Sequence, residues 1–264
     1  MKKYYVIFQK FLIVSLEYRG ALFLWMLVEI ISFVSILFYW FAVFKSNTTV
    51  GNYQFNDIVY YYVLAPIIWG ITSIFISESL PFRIKDGNIS SHLLKPYNYS
   101  FSLFLQALST KVIQYLIKFP VYIIIFIFIT YFLKIEINFL FLLIGLMCAV
   151  FGLVLHFVLD LVVSYISFWI EDTWSLSLLK IVLISVFGGM AFPLDLVSSS
   201  YRFIFDYLPF KFVYFFPIQV AQGKLSASEF YNELLLLLFW IIILALLAKV
   251  MWRNGLKKYG AYGN

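Results

Sequence analysis

Long apolar stretches separated by short polar segments dominate the sequence. A helix that rises 1.5 Å per residue needs about 20 mostly apolar residues to cross about 30 Å of hydrocarbon. We predict a transmembrane helix for each of six stretches: residues 21–44, 58–77, 101–133, 139–170, 176–192 and 234–252. The third is uninterruptedly apolar only over 119–133, the fourth is long for one crossing and the fifth is short. The pattern predicts an all-α polytopic membrane protein with a single transmembrane domain over residues 1–264.

The first 20 residues alternate between apolar and polar positions instead. Charged and amide side chains at positions 9, 10, 17 and 19 make this segment too polar to span a membrane. Its remaining side chains make it too apolar to stay free in water. We predict an amphipathic helix over residues 1–20 that lies at the cytoplasmic interface.

A basic loop over residues 81–98 separates the second and third predicted spans. Pro81 is expected to end the second span, and Asp-Gly-Asn at 86–88 is a strong turn signal. Residues 89–95 then predict a helix of about two turns, capped by Ser90 or by the asparagine of that turn. An ordinary reverse turn is the alternative interpretation.

The stretch before the last span, residues 192–232, is rich in Phe, Tyr and Leu, and we call it the aromatic segment. It is too apolar for a loop in water. Prolines and charged residues nevertheless interrupt it, at Pro193, Pro209 and Pro217 and at Arg202, Asp206 and Lys211. Short helices that enter the outer leaflet and return satisfy both constraints. We predict that they cover the external ends of the spans.

Composition and charge agree with the membrane assignment. Hydrophobic residues make up 64% of the chain and charged ones 12%, against about 45–50% and about 25% in soluble domains. These values exclude a disordered chain and a nucleic-acid-binding domain. Eleven Lys and Arg residues lie on the side of the two termini and the basic loop, and five on the other side. The imbalance predicts cytoplasmic termini, and the lack of an organelle presequence favours a bacterial plasma membrane.

Ionisable residues inside the predicted spans are candidates for function, because charges are costly in a bilayer. Glu29 fits a position on a transport pathway, a helix-to-helix hydrogen bond or a neutral, protonated carboxyl within the bundle. His156 and Asp160 are four residues apart and fit a proton relay or a weak metal pair. We favour a mutually bonded pair near the headgroups or at a helix contact. Lys111 and Lys118 lie on one helical face, which we interpret as a solvated extension rather than the wall of an aqueous pathway.

Motifs of catalytic and metal sites are missing from the sequence. Gly223 and Lys224 are followed by Leu225, so no P-loop is present, and no H-E-x-x-H or G-x-S-x-G occurs. One Cys and two His provide no metal-ligand cluster. We expect a chain that is not an enzyme and carries no cofactor of its own.

Several short stretches, in their order and spacing, carry a family resemblance. They are Ile-Lys-Asp-Gly at 84–87, Leu-Leu-Lys-Pro at 93–96, Phe-Trp at 168–169, Gly-Met-Ala-Phe-Pro-Leu at 189–194, Leu-Pro-Phe at 208–210, Pro217 with Gly223, and Trp-Arg-Asn-Gly-Leu-Lys-Lys-Tyr at 252–259 with Gly263. Together with the order of spans, the sequence resembles the permease subunit of an ABC transporter of the type-2 exporter class. The resemblance is to the subfamily of daunorubicin-resistance-like permeases.

The resemblance implies an assembly rather than a self-sufficient transporter. A second permease, identical or paralogous, would complete the pathway, and separate ABC subunits would bind ATP and Mg²⁺. Residues 83–96 would be the coupling helix, with the contact residues Arg83, Lys85, Asp86, Ser90, Leu93, Leu94 and Lys95. Spans one, two and five would face the dimer axis, which brings Glu29 near the pathway. The aromatic segment would act as an external gate, at Pro193, Pro209, Phe210 and Pro217.

The high aromatic content suits a hydrophobic or amphiphilic cargo such as a drug, a lipid or a peptide. Two functions of other classes compete with the exporter interpretation. They are a proton-coupled secondary transporter and an intramembrane lipid-modifying enzyme, both of which would use Glu29, His156 and Asp160. Inverted repeats would favour the transporter, and the two halves of the sequence show no convincing self-similarity.

Overall fold

The computed structural model describes residues 2–170 and 174–259, whose regular structure is helical apart from one isolated β-bridge. The α-helices are α1 (Lys2–Glu17), α2 (Arg19–Ser46), α3 (Phe55–Thr72), α4 (Leu80–Lys85), α5 (Ser90–Leu93), α6 (Tyr99–Phe132), α7 (Phe139–Tyr165), α8 (Trp174–Phe187), α9 (Ser199–Tyr207), α10 (Phe215–Ala221) and α11 (Ala227–Lys258). Short 3₁₀ helices lie at Ile76–Glu78, Ile166–Phe168, Leu194–Leu196 and Pro209–Val213. The expected all-α fold is confirmed.

Four helical stretches within these ranges are long and apolar enough to cross a membrane. They are α2, α6, α11 and the continuous run Phe139–Phe168. α3 and α8 are shorter, with 18 and 14 residues. A multi-pass membrane protein is confirmed, and the expected number of six crossings stays a prediction.

α3 and α7 form the centre of the bundle. α3 packs against α6 and α7, and α7 also contacts α10 and α11. Two glycines of α7 allow a very close approach of the chain before α11. A Cβ atom on Gly145 would lie 2.7 Å from the carbonyl oxygen of Pro217, and one on Gly152 would lie 2.6 Å from that of Phe212. The backbone of the aromatic segment therefore packs directly on α7.

The helix expected over residues 1–20 is present as α1. It packs on the beginning of α6, where Ser109 Oγ donates a hydrogen bond of 3.0 Å to the carbonyl oxygen of Phe8. Other apolar side chains of α1, including Tyr5 and Ile13, are exposed. An open apolar face of this kind suits a membrane interface, and that location stays a prediction.

The second predicted span ends earlier than its apolar pattern indicates. α3 stops at Thr72, whereas the pattern predicted a helix to residue 77. Pro81 does not end that helix but lies in the first turn of α4, where the amide hydrogen it lacks would have no intrahelical acceptor. Apolarity could not reveal the break, because Ile74 and Ile76 beyond it are also buried.

The basic loop forms two short helices, α4 and α5, instead of one of two turns. The turn between them is confirmed, since Gly87 has a φ of 73°. α5 is a single turn, and its N-cap residue is Ile89, which makes no side-chain capping bond. The expected cap by Ser90 or Asn88 is therefore wrong. Ser90 Oγ lies 3.1 Å from the hydroxyl oxygen of Tyr259 instead.

The aromatic segment consists of short helices, as its prolines predict. α8 ends at Phe187, before the expected residue 192. Every residue of α10 is buried, because this helix packs against α7 and α3. α9 is amphipathic and leaves Tyr201, Phe203 and Tyr207 exposed. Entry of these helices into a leaflet stays a prediction.

Candidate functional site

The break after α3 leaves backbone carbonyl groups inside the protein without amide partners. Backbone carbonyl groups that are buried at a helix end need donors. Basic side chains from three other helices supply them. Lys111 Nζ donates to Gly70 O over 2.7 Å, His156 Nδ1 to Thr72 O over 2.9 Å, and Lys180 Nζ to Ile74 O over 3.5 Å. The negative end of the α3 dipole further favours the two lysine side chains.

Asp160 joins three elements around the same break, and with Lys180 and Ser77 it forms what we call the Asp160 cluster. Its side chain is completely buried. The carboxylate accepts from the backbone N–H and Oγ of Ser77, over 2.9 and 2.6 Å, from the N–H of Ile76 and from Lys180 Nζ. One carboxylate thus ties α7 to α8 and to the 3₁₀ helix that leads into the basic loop.

His156 and Asp160 do not bond to each other, so the interpretation as a mutual pair is wrong. Each bonds to a different part of the chain around the break, Thr72 for His156 and Ser77 for Asp160. The described residues contain no group of three or more His, Cys, Asp or Glu that could hold a metal ion. The spacing of four residues reflects two separate structural contacts of α7.

The basic face of α6 is not a solvated extension, contrary to our interpretation. Lys111 is 9% exposed because it contacts the break after α3. Lys118 is 13% exposed, and its Nζ lies 2.6 Å from Glu29 Oε1. Both lysines face neighbouring helices rather than water, and α6 therefore contributes a charged wall to the interior.

Glu29 lies on the wall of a cavity of about 540 Å³ between α2, α3, α6 and α8, which we call the Glu29 cavity. Lys118 holds one carboxylate oxygen, and the hydroxyl of Tyr122 donates to the other. Trp25, Trp69, Phe75 and Phe119 line the apolar part, and Ser73, Glu78 and Gln114 add polar groups. Glu29 thus ties α2 to α6, which confirms the helix-to-helix hydrogen bond, and its position on a transport pathway stays a prediction.

The basic loop presents an apolar tip above a buried base. Leu94 is 89% exposed and Leu93 43%, while Lys85, Asp86 and Lys95 are also exposed. Of the other predicted contact residues, Arg83 bonds to Gln106 and Ser90 to Tyr259. The base is anchored by Leu80, Ile84 and Ile89, each of which is nearly or completely buried. The tip therefore projects from a base that is held by packing.

His92 in this loop contacts the hydroxyl of Tyr97 at 2.7 Å. Partial burial lowers the pKa of His92, and the positive charges of Lys95 and Arg83 lower that pKa further. The imidazole is therefore neutral at pH 7, since its ordinary pKa is already about 6.5. The positive charge of the basic loop comes from its lysines and arginine.

Tyrosines at and just before the start of α3 hold the beginning of the aromatic segment and the residues that precede it. The hydroxyl of Tyr61 donates to the carbonyl oxygen of Gly189 over 2.6 Å, and that of Tyr62 to Ala191 over 2.9 Å. Tyr53 donates to Asp195 over 2.8 Å. Burial, followed by the charge of Asp195, raises the pKa of Tyr53, so its hydroxyl keeps the proton that it donates.

The predicted gate residues are packed against neighbouring side chains. Pro193, Pro209 and Pro217 are buried, and the ring of Phe210 lies 6.3 Å from that of Phe187. The gate residues therefore belong to packed parts of the aromatic segment, and no described contact tests their movement.

Sequence reasoning missed several residues of these sites. Of these residues, Lys180 could have been recognised from the sequence, because it is a charged residue within the predicted span 176–192. Ser77, Tyr53 and Tyr122 carried no signal, since serine and tyrosine are common in apolar helices. Their roles depend on partners that lie far away in the chain.

Comparison with known proteins assigns the family. The family described as ABC-2 family transporter protein matches residues 30–263, from within α2 to the end of α11 and beyond. None of the curated proteins and none of the solved structures matches the chain. The chain therefore belongs to the ABC-2 transporter family and is a transmembrane permease of an ABC transporter.

Proposed function

We propose that this chain is the membrane-spanning permease of an ATP-driven exporter in which two permeases, identical or paralogous, form the translocation pathway. ATP and Mg²⁺ bind on separate ABC ATP-binding subunits. The family assignment supports the transport role, and the missing P-loop agrees with an ATPase on another chain. In this proposal the protein lies in a bacterial plasma membrane with both termini cytoplasmic.

The observation that carries the proposal is the exposed apolar tip of the basic loop. Two exposed leucines on a charged loop suit a groove on a soluble partner. The coupling surface consists of Lys85, Asp86, Leu93, Leu94 and Lys95, with Arg83 and Ser90 holding its geometry. In this proposal, the Asp160 cluster transmits a displacement of the tip to α7 and α8. The break after α3 allows the tip to move relative to α3.

The Glu29 cavity is the part of the pathway that this chain contributes. Its volume lies in the range of about 300–1,000 Å³ that holds drug-sized ligands. Aromatic walls with few polar groups support a hydrophobic or amphiphilic cargo, such as a drug, a lipid or a peptide. The aromatic segment is the external gate. The bond from Tyr53 to Asp195 supports its closed state, as do the bonds from Tyr61 and Tyr62 to the residues just before it.

Neither competing function is proposed. In the described residues no contact joins Glu29, His156 and Asp160, because each bonds to a different partner. A proton relay or an intramembrane catalytic site would need them close together.

The test is purification of the tagged chain from its native membranes, followed by identification of the proteins that remain bound. We expect an ABC ATP-binding subunit to copurify with the wild type. The double variant L93E/L94E should lose it, because charge on the tip prevents apolar docking.

Lys257→Glu is the matched control, since it adds the same side chain at an exposed site on the end of α11. It should retain the subunit. Transport by the purified chain without any ATPase, or retention of the ATPase by L93E/L94E, would contradict the proposal.

A further inference from the structure

A second cavity, distinct from the Glu29 cavity, lies at the end of the bundle that carries the basic loop. It measures about 540 Å³, is open on one side, and is lined by α7, α11, the start of α6 and the basic loop. We call it the Lys249 cavity. Its apolar wall includes Phe157 and Leu161 of α7 and Ala245 and Ala248 of α11. A space this large between helices holds a ligand with a substantial apolar part.

The charged groups around this cavity all have the same sign. Lys249 and Arg253, one turn apart on α11, line it, and no Asp or Glu is among the lining residues. Within residues 2–170 and 174–259, neither cation has a carboxylate oxygen within 4.0 Å. The Glu29 cavity differs, because Glu29 and Glu78 line it as well as Lys118. The Lys249 cavity therefore selects for an anion.

The position of the cations along α11 identifies the kind of anion. The last predicted span ends at residue 252, so Lys249 and Arg253 lie at its predicted exit from the hydrocarbon. Trp252 between them is the type of side chain that prefers the headgroup level. Ala245 and Ala248 are small, and Ala245 is exposed, so a groove remains along the apolar part of α11. A free anion would leave this apolar groove empty, whereas the acyl chain of a lipid would fill it.

We propose that the Lys249 cavity binds an anionic phospholipid of the cytoplasmic leaflet, with its phosphate at Lys249 and Arg253 and an acyl chain along Ala245 and Ala248. Basic pockets between membrane helices on the cytoplasmic side suit this chemistry. The proposal uses the predicted orientation of the termini and does not depend on the exporter function.

Such a lipid would also contact the basic loop. His92 and Leu93 of α5 line the same cavity, as do Ser100 and Tyr165, whose hydroxyl oxygens are 2.9 Å apart. A bound headgroup would therefore connect α11 to α5. Occupancy by the lipid would restrain the loop and make its position sensitive to the composition of the leaflet.

The test measures lipid binding by native mass spectrometry on the full chain, purified with any subunits that it retains. Dioleoyl phosphatidylglycerol and dioleoyl phosphatidylcholine are added separately, because they differ in headgroup charge and share their acyl chains. We expect a clear preference for phosphatidylglycerol. K249Q/R253Q should weaken its binding about thirtyfold, since each basic group near an anionic lipid contributes about fivefold.

K257Q/K258Q is the matched control, because it removes the same charge from the same helix at exposed residues that do not line the cavity. It should bind phosphatidylglycerol like the wild type. Ala245→Phe fills the groove and keeps both cations, so it should weaken lipid binding as well. Folding of each variant is checked by size-exclusion chromatography, and A245F decides the matter if K249Q/R253Q does not fold.

Three results would overturn the proposal. Equal binding of the two lipids would mean that the cavity does not recognise charge. Equal losses in K257Q/K258Q and K249Q/R253Q would indicate a general surface attraction. Displacement of phosphatidylglycerol by millimolar inorganic phosphate, with A245F binding the lipid normally, would assign the cavity to a free anion.

Discussion

Asp160 and Lys180 illustrate how single charged residues persist inside an apolar bundle. Each is almost completely buried, with exposed fractions of 0% and 3%. Removing both charges from water is expensive, and the pair is tolerable because Ser77 and the N–H of Ile76 satisfy the remaining carboxylate sites. Loss of one partner therefore leaves a buried charge without compensation, which is worse than loss of both.

We predict that Asp160→Asn and Lys180→Met each destabilise the protein by about 3–5 kcal/mol. The double variant should lose less than the sum of the two, since it leaves no unpaired charge. The measurement is the apparent melting temperature of the purified chain in detergent.

Asp206→Asn is the control, because Asp206 pairs with Arg202 at an exposed site where ion pairs contribute little. It should melt like the wild type. If Asp160→Asn and Lys180→Met also melted at the temperature of the wild type, the ion pair would not stabilise the structure around the break.

At the scale of elements, the close packing of α7 on the aromatic segment depends on the absence of side chains. A Cβ at Gly152 would lie 2.6 Å from the carbonyl oxygen of Phe212 and 3.2 Å from a methyl of Thr72. Backbone cannot move as a flexible side chain does, so one added carbon forces two elements apart. Helix propensity alone would favour alanine here.

We predict that Gly152→Ala destabilises the protein by about 1–3 kcal/mol through overpacking. It should also make the aromatic segment easier to cleave in limited proteolysis. Gly20→Ala is the control, because a Cβ there meets no atom within 4 Å, and it should be neutral or slightly stabilising. Equal behaviour of the two variants would contradict the close packing.

At the scale of the whole molecule, the basic loop, the Asp160 cluster and the break after α3 form one connected path. The tip of the loop is exposed and its base is buried. The carboxylate of Asp160, a residue of α7, bonds to Lys180 of α8 and to Ser77 just before the loop. The Glu29 cavity borders the break, since Ser73 and Phe75 line its wall. In the proposed mechanism, movement of the tip reaches the cavity through this connection.

We predict that reversing the charge at Asp86 or Lys95 uncouples ATP hydrolysis from transport without preventing membrane insertion. Both residues are exposed at the proposed docking surface, so the fold does not depend on them. The measurement compares ATP hydrolysis by the purified complex with accumulation of a fluorescent amphiphile in inside-out vesicles. Lys258→Glu is the control. Normal transport by D86K and K95E would contradict the assignment of this loop as the coupling surface.

Sequence reasoning was reliable where hydrophobicity decides the structure. It predicted the helical membrane fold, the helix before residue 20, the turn at Gly87 and the short helices of the aromatic segment. It failed at the end of α3 and at the partners of Lys111 and His156. A buried break and a buried continuation have the same apolar composition, so no local pattern separates them.

The sequence by itself therefore determined that this protein lies in a membrane, that it is helical and that it carries no P-loop. These properties follow from composition, length and short motifs, which are local. Only the tertiary structure decided which partners the interior charges have. Glu29 meets Lys118, His156 meets Thr72 and Asp160 meets Ser77, all across more than 80 positions. Such contacts arise from the packing of whole helices, because a buried charge takes whichever donor or acceptor the neighbouring helix brings within reach.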